Sequence, residues 1–317
     1  MEVSAQYPPR LSDGLASILA DVFQGDSVER ASGLAQAQPI CKEAGVFKYR
    51  LRAAADGSRF EDKLPFYHNT QVPMHLKGQV REAVEDLLRR NIIEPVYKVK
   101  DNIPCTHRVS IICNPKKKKV RLAPDMRILN QYTFPYAFPN QVREDLIPGV
   151  SAASVLIQFD LTHAYYSMEV DKFDQAYQCI TIDGEAYRIK RLVQGSNMGR
   201  SVFECAAHAF VERVEKDCIT KGLDEVRIVR FVDDISAYIV NIPGQPVRTI
   251  EEEVDIILKF TRIFLQNLKE YGFKPNMKKL VISREGDETD FLGYSVKLGS
   301  WHTMSKMAQE MFMEMAD

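Results

Sequence analysis

The chain has 317 residues, of which 45% are hydrophobic and 27% are charged, and its formal net charge is −1. This length allows a sizeable core and roughly two structural domains, whereas the near-neutral charge argues against strong non-specific binding of nucleic acid over the whole surface. No segment approaches the ~18 uninterrupted apolar residues of a membrane span, and the amino terminus lacks the layout of a signal peptide. We therefore expect an intracellular protein without a membrane partner.

The first half of the chain is predicted to contain one long helix and one basic hairpin. Residues 1 to 68 show weak periodicity and indicate no element, but apolar residues recur at helical spacing between 74 and 91. Strand-like runs at 108–113 and 119–123 are joined by a tract of four lysines. This tract is either a local patch for nucleic acid or a solvated hairpin tip.

The second half is predicted to alternate strands with helices. In chain order we expect a strand beginning at 154, a hairpin of 178–182 and 185–192 around Asp183-Gly184, a helix from about Ser201, a hairpin at 227–240, a helix from Thr249 to Gly272, and two strands around KKLVIS and DFLGYSVKL. Strand, helix, hairpin, helix, strand is the ferredoxin-like split βαβ order, an antiparallel sheet with helices on one face. The sequence therefore predicts an α+β fold.

Three acids occupy unexpected places in these apolar strands. Asp160 lies in the strand that begins at 154, and Asp233 and Asp234 lie at the middle of the hairpin. Taken alone, the adjacent pair is readily explained as a solvated turn. In the split βαβ topology, however, the three carboxylates can converge, which suits two divalent cations about 3.5–4 Å apart. Oxygen ligands without His or Cys favour Mg²⁺ or Mn²⁺.

Seven short motifs occur in an order that resembles a known family. FDLTHAYYSMEV, LVQGSNMGRSVFE, FVDD, GFKPNMKKL and FLGYSV resemble the catalytic motifs and primer grip of reverse transcriptases, and RRNIIEPV and RLAPDMRILNQYT resemble fingers motifs upstream. They extend over roughly residues 74 to 298. The resemblance is closest to enzymes of retroviruses and of long-terminal-repeat retrotransposons of the Ty3/gypsy-like type.

The resemblance implies a right-hand polymerase architecture. Fingers would comprise residues 69–139 and 168–195, and the palm with its primer grip 140–167 and 196–300. Residues 1–68 would be an N-terminal extension of unknown role. Residues 301–317 would begin a thumb, so we expect a polymerase core that is cut from a polyprotein or relies on other chains.

The resemblance also assigns catalytic roles. Asp160 and Asp233 would bridge two Mg²⁺ ions, or Mn²⁺, with Asp234 as the third acid and the carbonyl of Leu161 as a further ligand. Lys279 would be the acid that protonates the leaving pyrophosphate, and Lys278 is the second candidate for this role. Without the ordered motifs, Lys279 would be read as one of many solvated lysines.

Substrate contacts follow from the same comparison. Arg121 and Lys117 would contact the triphosphate, as would the amides of His163 and Ala164, and Tyr165 would exclude a ribose 2′-hydroxyl. Gln194 would help to place the incoming sugar, and Gly195 would let the backbone approach the nascent pair closely. The primer would contact Leu292, Gly293 and Tyr294. The chain departs from the family's motifs at two of these places. Gly199-Arg200 replaces the usual small residue and proline, and the lysine hairpin is shorter than in relatives.

The implied function is an RNA- and DNA-directed DNA polymerase. Its partners would be an RNA template, a DNA or RNA primer, dNTPs, and other polyprotein domains such as a thumb or ribonuclease H, or a second subunit. We expect it in the cytoplasm, within virus-like particles, or in the nucleus. Two alternatives are an RNA-directed RNA polymerase palm and a non-catalytic, domesticated scaffold that binds RNA or protein.

Overall fold

The computed structural model describes residues 1–23, 60–97, 103–114, 119–134, 142–241, 246–299 and 303–305. Contacts divide the chain into two compact units. The first comprises Met1–Gly25, Pro139–Thr162 and Ala207–Asp317, and the second comprises Asp26–Phe138 and His163–Ala206. The fingers, palm and thumb boundaries named above stay predictions, and most of 301–317 lies outside the described residues. Within the described part, no helix is both long and apolar enough to cross a bilayer.

The first unit is built on a five-stranded sheet. Its strands are β1 (Glu2–Val3), β5 (Val155–Phe159), β8 (Val226–Phe231), β9 (Asp234–Ile239) and β10 (Val281–Arg284). They lie in the order β1-β10-β5-β9-β8, and every neighbouring pair is antiparallel except β1 with β10. Without β1 this is the ferredoxin-like arrangement that the sequence predicts, which confirms the predicted fold class.

Two long helices cover one face of this sheet: α5 (Asn197–Thr220), which begins in the second unit, and α6 (Ile250–Tyr271). Thr249 and Glu252 form the predicted capping box of α6, and Gly272 ends the helix with φ 76°. The ring of Phe159 on β5 stacks on Phe264 of α6 at 4.0 Å between centroids. This packing places the residues after Phe159 at one end of the sheet.

A smaller sheet packs on the opposite face. Its strands are β11 (Glu288–Phe291), β12 (Tyr294–Lys297) and β13 (Thr303–Ser305), and α4 (Arg143–Ser151) lies against β12. Ile147 and Leu156 share a buried cluster with Phe291 and Val296. The turn between β11 and β12 uses Leu292 at φ 49° and Gly293 at φ 83°. Apolar burial therefore holds the β11–β12 hairpin, the predicted primer grip, on the sheet.

The amino-terminal residues belong to this unit, which periodicity did not indicate. Helix α1 (Pro9–Val22) begins with proline in its first turn and buries Leu11, Leu15, Ile18 and Val22. It packs on α6, where a Cβ added at Gly14 would lie 2.7 Å from a methyl of Leu258. Arg10 pairs with Glu251 and Asp255 at 2.5 and 2.6 Å. The extension is thus partly an additional layer of the first unit.

In its described residues the second unit contains two small sheets, two complete α-helices and the start of α5. Its elements are α2 (Lys77–Arg89), β2 (Ile93–Pro95), β3 (Val109–Asn114), β4 (Lys119–Pro124), α3 (Arg127–Gln131), β6 (Cys179–Ile182) and β7 (Glu185–Ile189). Strands β2, β7 and β6 form one sheet, and β3 pairs with β4. Asp183 and Gly184 turn the β6–β7 hairpin with φ 49° and 90°, as predicted. Residues 115–118 at the β3–β4 tip lie outside the described part.

Candidate active site

Asp160 and Asp234 are neighbours at one end of the five-stranded sheet. Phe159 is the register partner of Ile235, so the next position along each strand brings Asp160 beside Asp234. The turn between β8 and β9 consists of Val232 and Asp233, and Asp234 is already the first residue of β9. Both strands are anchored by buried neighbours, since Ile235 is fully buried. The fold therefore brings the three acids together.

The hairpin turn also has an unusual backbone. Val232 has a φ of 57°, although a β-branched residue is strongly disfavoured in the left-handed region. Such a conformation costs of the order of 1–3 kcal/mol and persists only where the surrounding structure enforces it. Glycine, the residue that adopts this conformation without cost, does not stand at this position. The turn thus combines local strain with two adjacent carboxylates.

The acids lie close enough to influence one another electrostatically. The pKa of Asp234 is raised first by partial burial and then by the charges of Asp233 and Asp160, while Lys279 opposes this shift. The Lys279 ammonium lies 2.9 Å from Oδ1 of Asp160. Asn276 supports the same residue, because its backbone N–H donates to the Asp160 carbonyl at 2.7 Å. Asp160 is therefore held from two sides by the GFKPNMKKL segment.

These groups line an open cavity of about 580 Å³. Gln158, Asp160, Asp234 and Lys279 contribute from the sheet end, and Glu288, Thr289, Asp290 and Ser295 contribute from the β11–β12 hairpin. Gln158 donates to the hydroxyl of Thr289 at 3.1 Å. The cavity is thus polar on both sides, which suits a charged substrate better than an apolar ligand.

The donor set fits a hard divalent cation. Asp160, Asp233 and Asp234 offer carboxylate oxygens, and no thiolate or imidazole stands among them. Leu161, whose carbonyl is the other predicted ligand, pairs in a bridge with Pro275. In the described residues no three His, Cys, Asp or Glu side chains already form a metal-binding group, and Asp160 is turned toward the Lys279 ammonium. The Lys279 ammonium thus supplies positive charge at the position where a metal cation would neutralise the carboxylates.

The residues after Asp160 are not in a strand. His163 has a φ of 52°, and Ala164–Ser167 is a 3₁₀ helix. Successive residues of a 3₁₀ helix differ in direction by about 120°, so Tyr165 and Tyr166 have different surroundings. Tyr165 stacks on Phe203 at 5.0 Å, whereas burial raises the pKa of Tyr166.

Arg90 supports this turn and was not singled out in the sequence. It follows α2, is 7% exposed, and donates to Asp86 at 3.0 Å. Its Nη1 also lies 3.0 Å from Nε2 of His163. Because a guanidinium can only donate, the histidine nitrogen accepts. Nothing in the local sequence signals a contact across 73 positions.

The other predicted substrate residues of the second unit lie at its surface. Arg121 is exposed on β4, and Gln194 and Gly195 are exposed in the turn before α5. Gly195 has a φ of 100° and its carbonyl accepts from Asn130 at 2.9 Å, so a side chain would be strained there. Ala164 is buried. Lys117 lies outside the described residues.

The predicted primer grip is anchored by α4. The Tyr294 hydroxyl donates to Glu144 at 3.0 Å, and the Arg143 guanidinium lies 5.1 Å from the Tyr294 ring centre. Arg143 also reaches the carbonyl of Leu292 at 3.4 Å. The two α4 residues were not identified from the sequence, because the hairpin lies about 150 positions away. They fix the orientation of the turn that carries Gly293.

The raised pKa of Asp234 leads to a stability prediction. A carboxyl with a raised folded-state pKa costs stability as pH rises above its unfolded value, about 3.9. In the absence of divalent cations, we expect Asp234→Asn to raise the melting temperature at pH 7 by about 1–2 °C, a value reduced for solvent screening. The gain should disappear below about pH 3.9. Asp224→Asn, in an exposed turn, is the control, and an equal gain at both pH values contradicts the electrostatic cause.

Comparison with known proteins identifies the family. A model described as reverse transcriptase (RNA-dependent DNA polymerase) matches residues 110–296, more than half of the chain. The Gag-Pol polyprotein of Walleye dermal sarcoma virus is 24% identical over 234 residues, covering 73% of this chain and 12% of that protein. The Pol polyprotein from transposon gypsy of Drosophila melanogaster is 24% identical over 221 residues, covering 68% and 20%.

Solved structures agree on the fold. The foamy viral protease-reverse transcriptase in complex with double-stranded DNA superposes with a TM-score of 0.62 at 16% identity, covering 99% of this chain and 59% of that chain. This chain spans a fifth or less of the two polyproteins that it matches. The family match extends over β3 to β12 and includes all three acids. The chain therefore belongs to the reverse transcriptase (RNA-dependent DNA polymerase) family.

Proposed function

We propose that this chain is the polymerase core of a reverse transcriptase, which transfers nucleotides from dNTPs to a primer 3′-hydroxyl on RNA and DNA templates. The observation that carries the proposal is the placement of Asp160 beside Asp234, with the Lys279 ammonium 2.9 Å from Asp160. Clustered carboxylates are costly in a fold unless they have a task, and phosphoryl transfer requires such a cluster. The family to which the chain belongs is described as RNA-dependent DNA polymerase, and nucleotide transfer by a polymerase is a phosphoryl transfer.

Asp160, Asp233 and Asp234, with the carbonyl of Leu161, would hold two Mg²⁺ ions, or Mn²⁺. When bound, these ions lower the pKa of the primer hydroxyl and neutralise charge on the triphosphate. The contribution of the chain is positioning: β5 and the β8–β9 hairpin hold the carboxylates before substrate arrives. Lys279 would hold a proton at Nζ and give it to the leaving pyrophosphate.

The second unit would supply contacts to the nucleotide. Arg121, and Lys117 with it, would bind triphosphate oxygens, because guanidinium groups match phosphate geometry and lysines add charge. The amides of His163 and Ala164 would add donors. Gln194 would help to place the incoming sugar, and Gly195, with a φ of 100°, would permit a close backbone approach to the nascent base pair.

The template and primer would lie against the first unit. Leu292, Gly293 and Tyr294 would hold the primer end, supported by Arg143 and Glu144. The related foamy viral enzyme was solved with double-stranded DNA. For this chain we propose an RNA template, a DNA or RNA primer, and other domains of a polyprotein or a second subunit as partners.

Primer extension tests the proposal directly. With an RNA template, dNTPs and Mg²⁺, we expect the wild-type chain to extend a primer and Asp233→Asn to be slower by at least ~10³-fold, about 4 kcal/mol of transition-state stabilisation. Asp224→Asn at the opposite end of β8 is the matched control and should keep wild-type activity. An Asp233→Asn variant with near wild-type activity removes the proposed role of the acids. A wild type that folds but extends no primer supports a binding scaffold instead.

Tyr165 should determine the choice of sugar. If its ring fills the space that a ribose 2′-hydroxyl needs, Tyr165→Val should raise ribonucleotide use relative to deoxynucleotide use by roughly ten- to a hundredfold. Tyr166→Val is the control: it should lower stability without changing the ratio. Single-nucleotide insertion of matched dNTP and rNTP pairs measures both. An unchanged ratio in Tyr165→Val, or a wild type that prefers rNTPs, overturns the role and favours an RNA polymerase.

A further inference from the structure

The first four residues of the chain run along β10, immediately beside the loop that carries Lys279. The Met1 nitrogen donates to the carbonyl of Lys278 at 2.7 Å, and the Glu2 N–H donates to the carbonyl of Leu280 at 2.8 Å. The Ser4 N–H donates to Ile282 at 2.8 Å. The carbonyls on both sides of Lys279 are therefore bound by the amino-terminal segment.

On its other side, the same loop is linked to Asp160 through Asn276. The Lys279 N–H donates to the Asn276 carbonyl at 2.9 Å, and the Asn276 N–H donates to the Asp160 carbonyl at 2.7 Å. The Lys279 backbone thus lies between Asp160 and the amino-terminal strand. Its side chain is 58% exposed, and a lysine has four rotatable bonds, so packing contributes little to its position. The backbone determines where the ammonium can reach.

The far end of β10 is tied to the same segment by a buried network. Glu253 of α6 is 2% exposed, and its carboxylate accepts from Arg284 at 2.7 Å and from the Tyr7 hydroxyl at 3.2 Å. Gln6 donates to Asp287 at 3.0 Å. A buried carboxylate is costly unless it is fully paired, so this network fixes the register of residues 1–7 against β10. Burial and Glu253 raise the pKa of Tyr7, which stays protonated as a donor.

We propose that residues 1–4 are a positioning segment for catalysis, which holds Lys279 where its ammonium meets Asp160 and the leaving pyrophosphate. This inference rests on the proposed role of Lys279 as the proton donor. Displacement of a catalytic group by about 1 Å can cost as much as ~100-fold in rate, so a two-residue strand is enough to matter. Glu2 itself lines the candidate active-site cavity. The positioning that we propose acts through the backbone of Lys278 and Leu280.

If residues 1–4 only stabilised the fold, the expected results would be different. Among residues 1–23, most apolar burial comes from α1, which packs on α6. A segment that only stabilises the fold should lower the melting temperature and reduce the amount of active protein. It should do so whether or not Lys279 is present. Coupling to Lys279 therefore separates positioning from stability.

The first experiment compares two substitutions at one position. Glu2→Pro removes the N–H that donates to the Leu280 carbonyl. Proline is tolerated at the start of an edge strand. Glu2→Ala removes the same side chain but keeps the N–H. Single-turnover incorporation at varied dNTP concentration separates the maximal rate from the Kd of dNTP. Both variants lose the Glu2 carboxylate, which lines the cavity, so Glu2→Ala is the reference for Glu2→Pro. We expect the maximal rate of Glu2→Pro to be about three- to tenfold lower than that of Glu2→Ala, with the same Kd of dNTP.

Deletion of Glu2 and Val3 is a stronger perturbation of the same segment. Its control is Arg10→Gln, which weakens the contacts of α1 with α6 but leaves residues 1–4 unchanged. We expect the deletion to lower the maximal rate about tenfold or more and Arg10→Gln to leave it unchanged. Melting temperatures are measured for every variant. Equal rates for Glu2→Pro and Glu2→Ala overturn the inference even if the deletion does not fold.

Lys279→Gln completes the test as a double-mutant cycle. In the Lys279→Gln background we expect Glu2→Pro and Glu2→Ala to have equal rates, because the group that the Glu2 N–H helps to position is gone. Full additivity overturns the inference. A Lys279→Gln variant with wild-type rate instead removes the proton-donor role on which the inference rests, so the two failures are distinguishable.

Discussion

Asp160, Asp233 and Asp234 are held together by strands that cannot separate, although ionised carboxylates repel one another. The register of β5 with β9 sets Asp160 beside Asp234, and the buried side chains of Phe159 and Ile235 hold both strands in place. The turn can relax little, since Val232 is already in a left-handed conformation. Partial burial, and then the charges of Asp233 and Asp160, raise the pKa of Asp234. Cations, or the Lys279 ammonium, offset the repulsion among the carboxylates.

The rest of the first unit can be understood as the support of this cluster. Helix α6 presses Phe264 against Phe159, the Asn276 loop binds Asp160, and β10 carries that loop back into the sheet. The β11–β12 hairpin lines the far side of the cavity and is anchored by α4. Each contact limits the movement of a charged group, which is how preorganised sites avoid reorganisation during the reaction.

Local signals in the sequence predicted much of this correctly. The capping box at Thr249, the Asp183-Gly184 turn and the alternation of strands with helices depend on neighbouring residues, so they can be read without the fold. The start of α5 at Asn197 instead of about Ser201 depends on Asn130, whose side chain accepts from the Asn197 N–H at 2.9 Å. A distant partner leaves no local pattern.

The amino terminus shows the same limit. Helix α1 was not recognised, because the periodicity of residues 1–68 is weak. Strand β1 has two residues and therefore no period, and its partner is nearly 280 positions away. The contacts of Arg90 and Arg143 are equally long-range. The 3₁₀ helix at Ala164–Ser167 was missed because it directly continues an apolar strand. Asp160, Asp233 and Asp234 were found because charged residues are conspicuous within apolar strand sequences.

Binding of Mn²⁺, followed by electron paramagnetic resonance in the presence of primer-template and dNTP, tests the carboxylate cluster most directly. If the three acids are held together to bind cations, the wild-type chain should bind Mn²⁺ saturably and Asp160→Asn should lose most of this binding while remaining folded. Equal Mn²⁺ affinity in the two proteins would contradict the assignment of Asp160 as a metal ligand.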